Sequence, residues 1–297
     1  MRDGQGLEVS NAHAEAVGAI DLLRTEWLAF GKRLPEVVSA ADQEQRCALL
    51  PLMSANLLLT VNSRDAFAMA GRQFDRARKL AAAGTNPREK AWLAATEASF
   101  ANDKETSQRL HEKIVTEWPS DLISAKVGQV HAIDRGDAEG LLRIGERVFA
   151  ANPQNSFVRS MRAFGLEECN RIDEAHDEAL RALEANPGDA WAHHVVAHCL
   201  EARGRMLEGV TFLRQESAAW ENCNSFMYTH NWWHLALFLI DLDRTDEALD
   251  LFDTRVWGVD KDFSEDQINA ISLLARLELH GVDVGHCAHL ERLSWTA

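Results

Sequence analysis

The stretch PQNSFVRSMRAFGLEECNRIDEAHDEALRALEANP, residues 153–187, decides the fold. It runs from Pro153 to Pro187, and Pro119 stands the same distance before Pro153. That spacing, about 34 residues, is the period of a helix-turn-helix repeat, and proline is what stops the second helix of each unit. With each proline as the near-last position, the tight turn between the two helices falls on Gly136, Asn170 and Gly204. These residue types accept a left-handed backbone. Five positions further, where the helices pack closely, stand Leu141, Ala175 and Gly209; two are small and Leu141 departs. Asn86-Pro87 opens a slightly shorter unit with Asn102-Asp103 as its turn.

Towards the N-terminus, Val17, Ile20, Leu23, Leu28 and Phe30 predict a helix over 10–30, with Ser10 and Asn11 as candidate caps and Gly31 as its stop. Pro35 and Pro51 each mark the first turn of a further helix. Residues 51–61 are apolar nearly all round and should be buried, with 65–83 as the antiparallel partner. Towards the C-terminus a second helix is predicted over 207–220, then an inserted connection from Glu221 to Tyr228. The next first helix follows from Thr229 to Leu242, with a turn at Asp243-Arg244 and a second helix from Asp246. A final pair is expected over 264–280 and about 283–293. The prediction is an all-α, right-handed α-solenoid of about six tetratricopeptide-like helical hairpins. Residues 1–85 supply N-terminal helices that pack on the array, and 86–297 form one continuous solenoid.

Bulk composition narrows the function classes. Lys plus Arg is 31 against 46 Asp plus Glu, a net charge of −15. Such a field repels phosphate backbones and anionic membranes, which argues against nucleic-acid and membrane partners and suits a cation or a basic peptide. The five cysteines, Cys47, Cys169, Cys199, Cys223 and Cys287, lie far apart without a paired motif, as expected of reduced thiols. Residues 1–6 carry no signal-peptide pattern, and the apolar run 48–61 is broken by Pro51, Ser54 and Asn56. The expectation is a cytoplasmic protein. Phosphate loops and the serine-hydrolase elbow are missing from the sequence, so neither chemistry is supported.

The chemistry is concentrated between residues 187 and 240. After Asp189-Ala190, Trp191, His194, His198 and Glu201 share one helical face within an arc of about 80°. His193, Val196, Ala197 and Leu200 lie on the opposite side. Counted from Gly204, the polar stripe takes the second, fifth, ninth and twelfth positions of the first helix, which line the concave surface of such a repeat. Counted from Asp243, the next helix contributes His230, Trp233, Leu237 and Ile240, with His234 beside His230.

Three readings follow. As a groove, Trp191, His194, His198, Glu201, His230, Asn231, Trp233, His234 and Tyr228 bind a peptide or small molecule. As a metal site, His194, His198, His230 and His234 hold a divalent ion such as Zn, Fe, Mn or Ni, and the protein is a hydrolase or lyase. As a metal-free acid–base site, the candidate catalytic groups are His194, His198, Glu201 and His234. The balance favours binding, because an i,i+4 histidine pair is less specific than a complete catalytic metal motif. His193 reads as a satisfied core residue, and His111, His131 and His176 as solvated. His280, His286 and His289 form a loose trio interrupted by glycines. Trp27, Trp92, Trp118, Trp220, Trp257 and Trp295 read as packing residues.

Asp189-Ala190-Trp191, His194, Ala197-His198 and Glu201, followed by His230-Asn231, His234, Ala236-Leu237 and Glu247-Ala248-Leu249, resemble the tetratricopeptide repeat protein 38 family over about 86–253. The resemblance implies a cytosolic helical-repeat protein and brings no reaction with it. Members of that family continue for further repeats. The expected end of this array at Ala297 leaves Leu273, Leu274, Leu277, Leu290, Leu293 and Trp295 without a capping helix, which suggests a homodimer.

Overall fold

The computed structural model describes residues 1–257, 259–261 and 263–284. Among them the chain is all helical apart from a single antiparallel bridge between Arg2 and Glu8. The N-terminal part contains α1 (Ala14–Leu28), α2 (Leu34–Gln43), α3 (Leu49–Leu59) and α4 (Arg64–Ala81). Paired helices follow: α5 (Pro87–Phe100) with α6 (Lys104–Glu117), α7 (Leu122–Arg135) with α8 (Ala138–Ala151), and α9 (Ser156–Glu168) with α10 (Ile172–Ala185). The series continues with α11 (Ala190–Ala202) and α12 (Met206–Glu216), then α13 (Ser225–Asp241) and α14 (Thr245–Leu251), which runs on as a π-helical turn, Phe252–Val256. The last described helix is α15 (Ser264–Leu279). The described chain is an α-helical solenoid of five repeat hairpins, with α15 packed on α13.

The backbone states why the repeat is regular. Asn102, Gly136, Asn170, Gly204 and Asp243 all have φ between +56° and +68°, and the first four are evenly spaced at the repeat period. After each, the next amide reaches back five residues: Asp137 N–H donates to the Ala132 carbonyl, Arg171 to Leu166, Arg205 to Leu200. This closes the end of every first helix and turns the chain into the second. First helices start on polar caps, with Asn86, Asp121, Asn155, Asp189 and Asn224 each accepting backbone N–H groups of the first turn. Leu141, the departure from the small-residue rule, is buried because Gly165 opposite has no side chain: a Cβ there would stand 2.7 Å from the Leu142 backbone.

Two boundaries differ from expectation. The helix predicted from Thr229 begins at Ser225, because Asn224 caps it and the amide of Met227 donates to the Asn224 side chain at 3.1 Å. The inserted connection is therefore short, a 3₁₀ turn (Ser217–Trp220) and the four residues after it. Leu273, Leu274 and Leu277 are buried, which removes part of the motive for self-association. Leu290, Leu293, Trp295, Cys287, His286, His289 and nearly all of the helix expected over 283–293 lie outside the described residues.

The N-terminal helices do more than precede the array. Helices α1 and α3 contact α7, and the turn after α1 places Phe30 against Lys126 and Trp191, the inner-face positions of α7 and α11. The Asn224 amide donates to the Phe30 carbonyl at 2.5 Å, and Lys32 Nζ donates to the Glu221 carbonyl at 2.9 Å. Further on, Ser264 Oγ donates to the Val61 carbonyl at 3.0 Å, and Asn62 Nδ2 to Glu265 at 3.1 Å. The N-terminal segment thus makes contacts with the array from α5 to the last described helix, and Phe30 lies on the inner face between them.

Candidate functional site

The inner-face stripe is built as the repeat dictates. Asp189 caps α11 by accepting the Ala192 amide at 3.1 Å, and from there Trp191, His194, His198 and Glu201 follow at helical spacing. Asn224 does the same for α13, which brings His230, Trp233 and His234 alongside. Ring centroids of His194 lie 4.3 Å from His198, 4.9 Å from His230 and 4.9 Å from His234. His198 lies 4.7 Å from His234. All four predicted histidines therefore gather in one cluster between two helices.

Within the cluster, three rings point their Nε2 atoms at one another. His230 Nε2 is 3.0 Å from His194 Nε2 and 3.3 Å from His234 Nε2. His198 stands beside this triangle and turns its Nδ1 to Glu167 Oε2 at 3.3 Å, while His194, His230 and His234 have candidate ligand atoms within 4.8 Å of one another. Burial is the first cause lowering the pKa values of His194, His230 and His234, with the neighbouring imidazoles adding to it. His230 falls to about 4. The rings are neutral near pH 7, the state in which a nitrogen lone pair is free to ligate or accept a hydrogen bond.

Aromatic rings hold the imidazoles in place. Trp191 stacks on His194 with centroids 4.4 Å apart, and His230 is flanked by Phe226 at 5.2 Å and Trp233 at 5.4 Å, both nearly parallel to it. Trp233 in turn donates from Nε1 to Ser272 on α15 at 2.9 Å. Glu201 is half-buried, and burial raises its carboxyl while the nearby His198 opposes the rise. Lys126 sits over the rings of Phe30 and Trp191, 4.3 and 4.8 Å from their centroids, and burial brings its ammonium down to about 8.

Two predicted site residues face elsewhere. Asn231 is buried and donates to the Ala190 carbonyl, tying α13 to α11 as a packing residue. The Tyr228 hydroxyl accepts from Arg255 at 2.6 Å, and its ring edges Trp232, on the side of α13 away from the histidines. Conversely, Lys126, Phe164 and Glu167 belong to the site. They occupy the fifth, ninth and twelfth positions of α7 and α9, and extending the register back two repeats would have found them. Phe30 and Asn269 reach the site from distant segments and carry no periodic signal.

Among the other histidines, His193 lies in the core, as expected, where its Nδ1 accepts from Trp220 Nε1 at 3.2 Å and its Nε2 has no hydrogen-bond partner. His111 and His131 are buried rather than solvated, bonded to Ser124 Oγ at 2.8 Å and Ser99 Oγ at 3.1 Å. His176 is half-buried.

No family model matches the sequence. Among solved structures the chain is similar to a thermophilic tetratricopeptide-repeat protein of Thermus thermophilus, with a TM-score of 0.51 and 16% identity. That likeness covers 63% of this chain and 99% of the other. It is also similar to yeast Tom70, with a TM-score of 0.52 and 15% identity, covering 83% of this chain and 50% of Tom70. No described helix is long and apolar enough to cross a membrane. The fold is that of the tetratricopeptide-type helical-repeat proteins.

Proposed function

We propose that the protein is a binding protein whose inner face takes a compact ligand, a small molecule or a divalent cation, at the imidazole cluster. The observation that carries this reading is Phe30. Its ring stacks on Trp191 at 5.3 Å and meets Phe226 at 6.1 Å, so the N-terminal segment already occupies the inner surface along which an extended peptide would lie. His194 and His234 behind it are buried. Buried, ring-clamped histidines are pre-organised for a ligand with few atoms and strong directional contacts.

A metal-dependent hydrolase or lyase would use the same side chains, and one observation favours it. Glu201 lies half-buried on the same helix and face as His194 and His198, the place a general base would take. The resemblance to the tetratricopeptide repeat protein 38 family supports the placement of the site without selecting a reaction.

Hydrogen–deuterium exchange on the full chain tests the reading. Panels of small carboxylates, azoles and divalent cations, and separately a degenerate peptide library, are added to the protein. A compact ligand should protect 191–201 and 226–234 while 29–33 stays protected. Protection by extended peptides with release of 29–33 would overturn it.

A further inference from the structure

Resting on that reading, we propose that the Nε2 atoms of His194, His230 and His234 form a site for one divalent first-row transition-metal ion of the zinc and cobalt class. The three candidate ligand atoms lie within 4.8 Å of one another, and the two contacts through His230 are 3.0 and 3.3 Å. A tetrahedral ion with metal–nitrogen bonds of about 2.0–2.1 Å requires nitrogen–nitrogen edges of about 3.3 Å. The two edges through His230 are already close to those such an ion would require.

The hydrogen-bond accounting points the same way. His230 Nδ1 is 3.1 Å from Asn269 Oδ1, an acceptor, so the ring carries its proton on Nδ1 and presents a lone pair at Nε2. Two other Nε2 atoms approach that one lone pair, and without a cation both would have to donate to it. The Nδ1 atoms of His194 and His234 have no hydrogen-bond partner with or without a cation; the difference a cation makes is at the crowded Nε2 atoms. A shared cation replaces this crowding by giving each of the three lone pairs the same electrophile.

His230 has the supporting hydrogen bond that metal-ligating histidines use. Asn269 fixes the His230 tautomer, and Trp191, Phe226 and Trp233 fix ring planes by stacking. His198, joined to Glu167, is the adjacent donor for a fourth position. A set of neutral imidazoles selects borderline ions such as Zn(II), Co(II) or Ni(II) and discriminates against Mg(II) and Ca(II), which prefer oxygen.

The test is a titration of chelator-treated, full-length protein with Co(II), followed by visible absorption and tryptophan emission, with Zn(II) and Mg(II) as competitors. One equivalent should bind, displaced by Zn(II) and not by Mg(II). Asn269→Ala should weaken binding about 10- to 100-fold. His230→Gln and His234→Gln should abolish stoichiometric binding, while His176→Gln leaves it unchanged. X-ray absorption of the Zn-loaded wild type, which needs no variant to fold, should show at least three imidazole nitrogens at about 2.0 Å. No cobalt binding, or binding indifferent to His230→Gln, overturns the proposal. If cobalt fails but a small molecule still protects 191–201 in chelator, the metal assignment falls and the compact-ligand pocket stands. If neither occurs, both fall.

Discussion

The amide of Asn224 donates to the carbonyl of Phe30 at 2.5 Å, joining segments far apart in the chain. One residue thereby caps the helix that carries His230 and His234 through its side chain, and holds the N-terminal clasp through its backbone. Phe30 itself is 6% exposed with φ of +54°, a strained conformation for a bulky side chain that its packing must offset. Phe30→Ala should cost about 3–5 kcal/mol, the usual range for emptying an aromatic core position. It should also shift tryptophan emission to the red as Trp191 gains water. A urea midpoint equal to wild type would show that the clasp is not part of the core.

The repeat register makes a sharper claim about single backbone positions. At Gly136, φ is +66° and no atom lies within 4 Å of where a Cβ would be, so Gly136→Ala changes only the conformational term. It should destabilise by about 1–2 kcal/mol. Asn170 has φ of +59°, and Asn170→Gly should be neutral or mildly stabilising. Chemical denaturation of both variants checks the pair, and a cost for Asn170→Gly as large as that for Gly136→Ala would contradict the register.

These turns show what was legible in the sequence. The proline period placed Gly136, Asn170 and Gly204, and through them the inward stripe of Trp191, His194, His198 and Glu201, because both follow from local periodicity. The position of Phe30 over that stripe was not legible, since it depends on tertiary contacts between segments distant in sequence, with no repeat to announce them. The same limit hid Asn269. His111 and His131 were misplaced for another reason: a lone histidine looks solvated until the serine that bonds one of its nitrogens is known, and Ser124 and Ser99 come from neighbouring helices. Tyr228 and Asn231 were assigned to the site by proximity in sequence, although on a helix that begins at Ser225 both point away from the triangle.

Buried as they are, His111 and His131 give the protein an acid-sensitive core. Burial brings His131 from its ordinary value of 6.5 to about 4 and His111 well below 6.5, with Asp134 and Lys104 acting in opposite senses on His131. The unfolded chain binds these protons at higher pH than the folded one, so unfolding is favoured as pH falls. The stabilisation is complete above about pH 6.5 and is lost on acidification towards pH 4, at no more than about 1.4 kcal/mol per pH unit for each group. Urea midpoints at pH 7.5 and 5 should differ, and His131→Gln should reduce that difference. An unchanged pH slope in His131→Gln would remove His131 as a contributor.

Asp121 provides the last test, of how the N-terminal segment is anchored at the start of the array. Its side chain is buried, accepts from Arg88 Nη1 at 3.0 Å and Trp92 Nε1 at 2.8 Å, and caps α7 through the Ser124 amide at 3.1 Å. Arg88 also donates to the Glu8 carbonyl at 3.0 Å and lies 3.8 Å from Asp3, so one buried guanidinium ties residues 3–8 to α5 and α7. Removing Asp121 leaves that charge with only the more distant Asp3 carboxylate, along with an uncapped helix and an indole N–H without an acceptor. Asp121→Ala should therefore cost about 3–5 kcal/mol. Replacing both partners, Asp121→Asn with Arg88→Met, should cost less than Asp121→Ala, because no buried charge is stranded. If the single and double variants are equally destabilised in urea, a stranded Arg88 charge is not what makes Asp121→Ala costly.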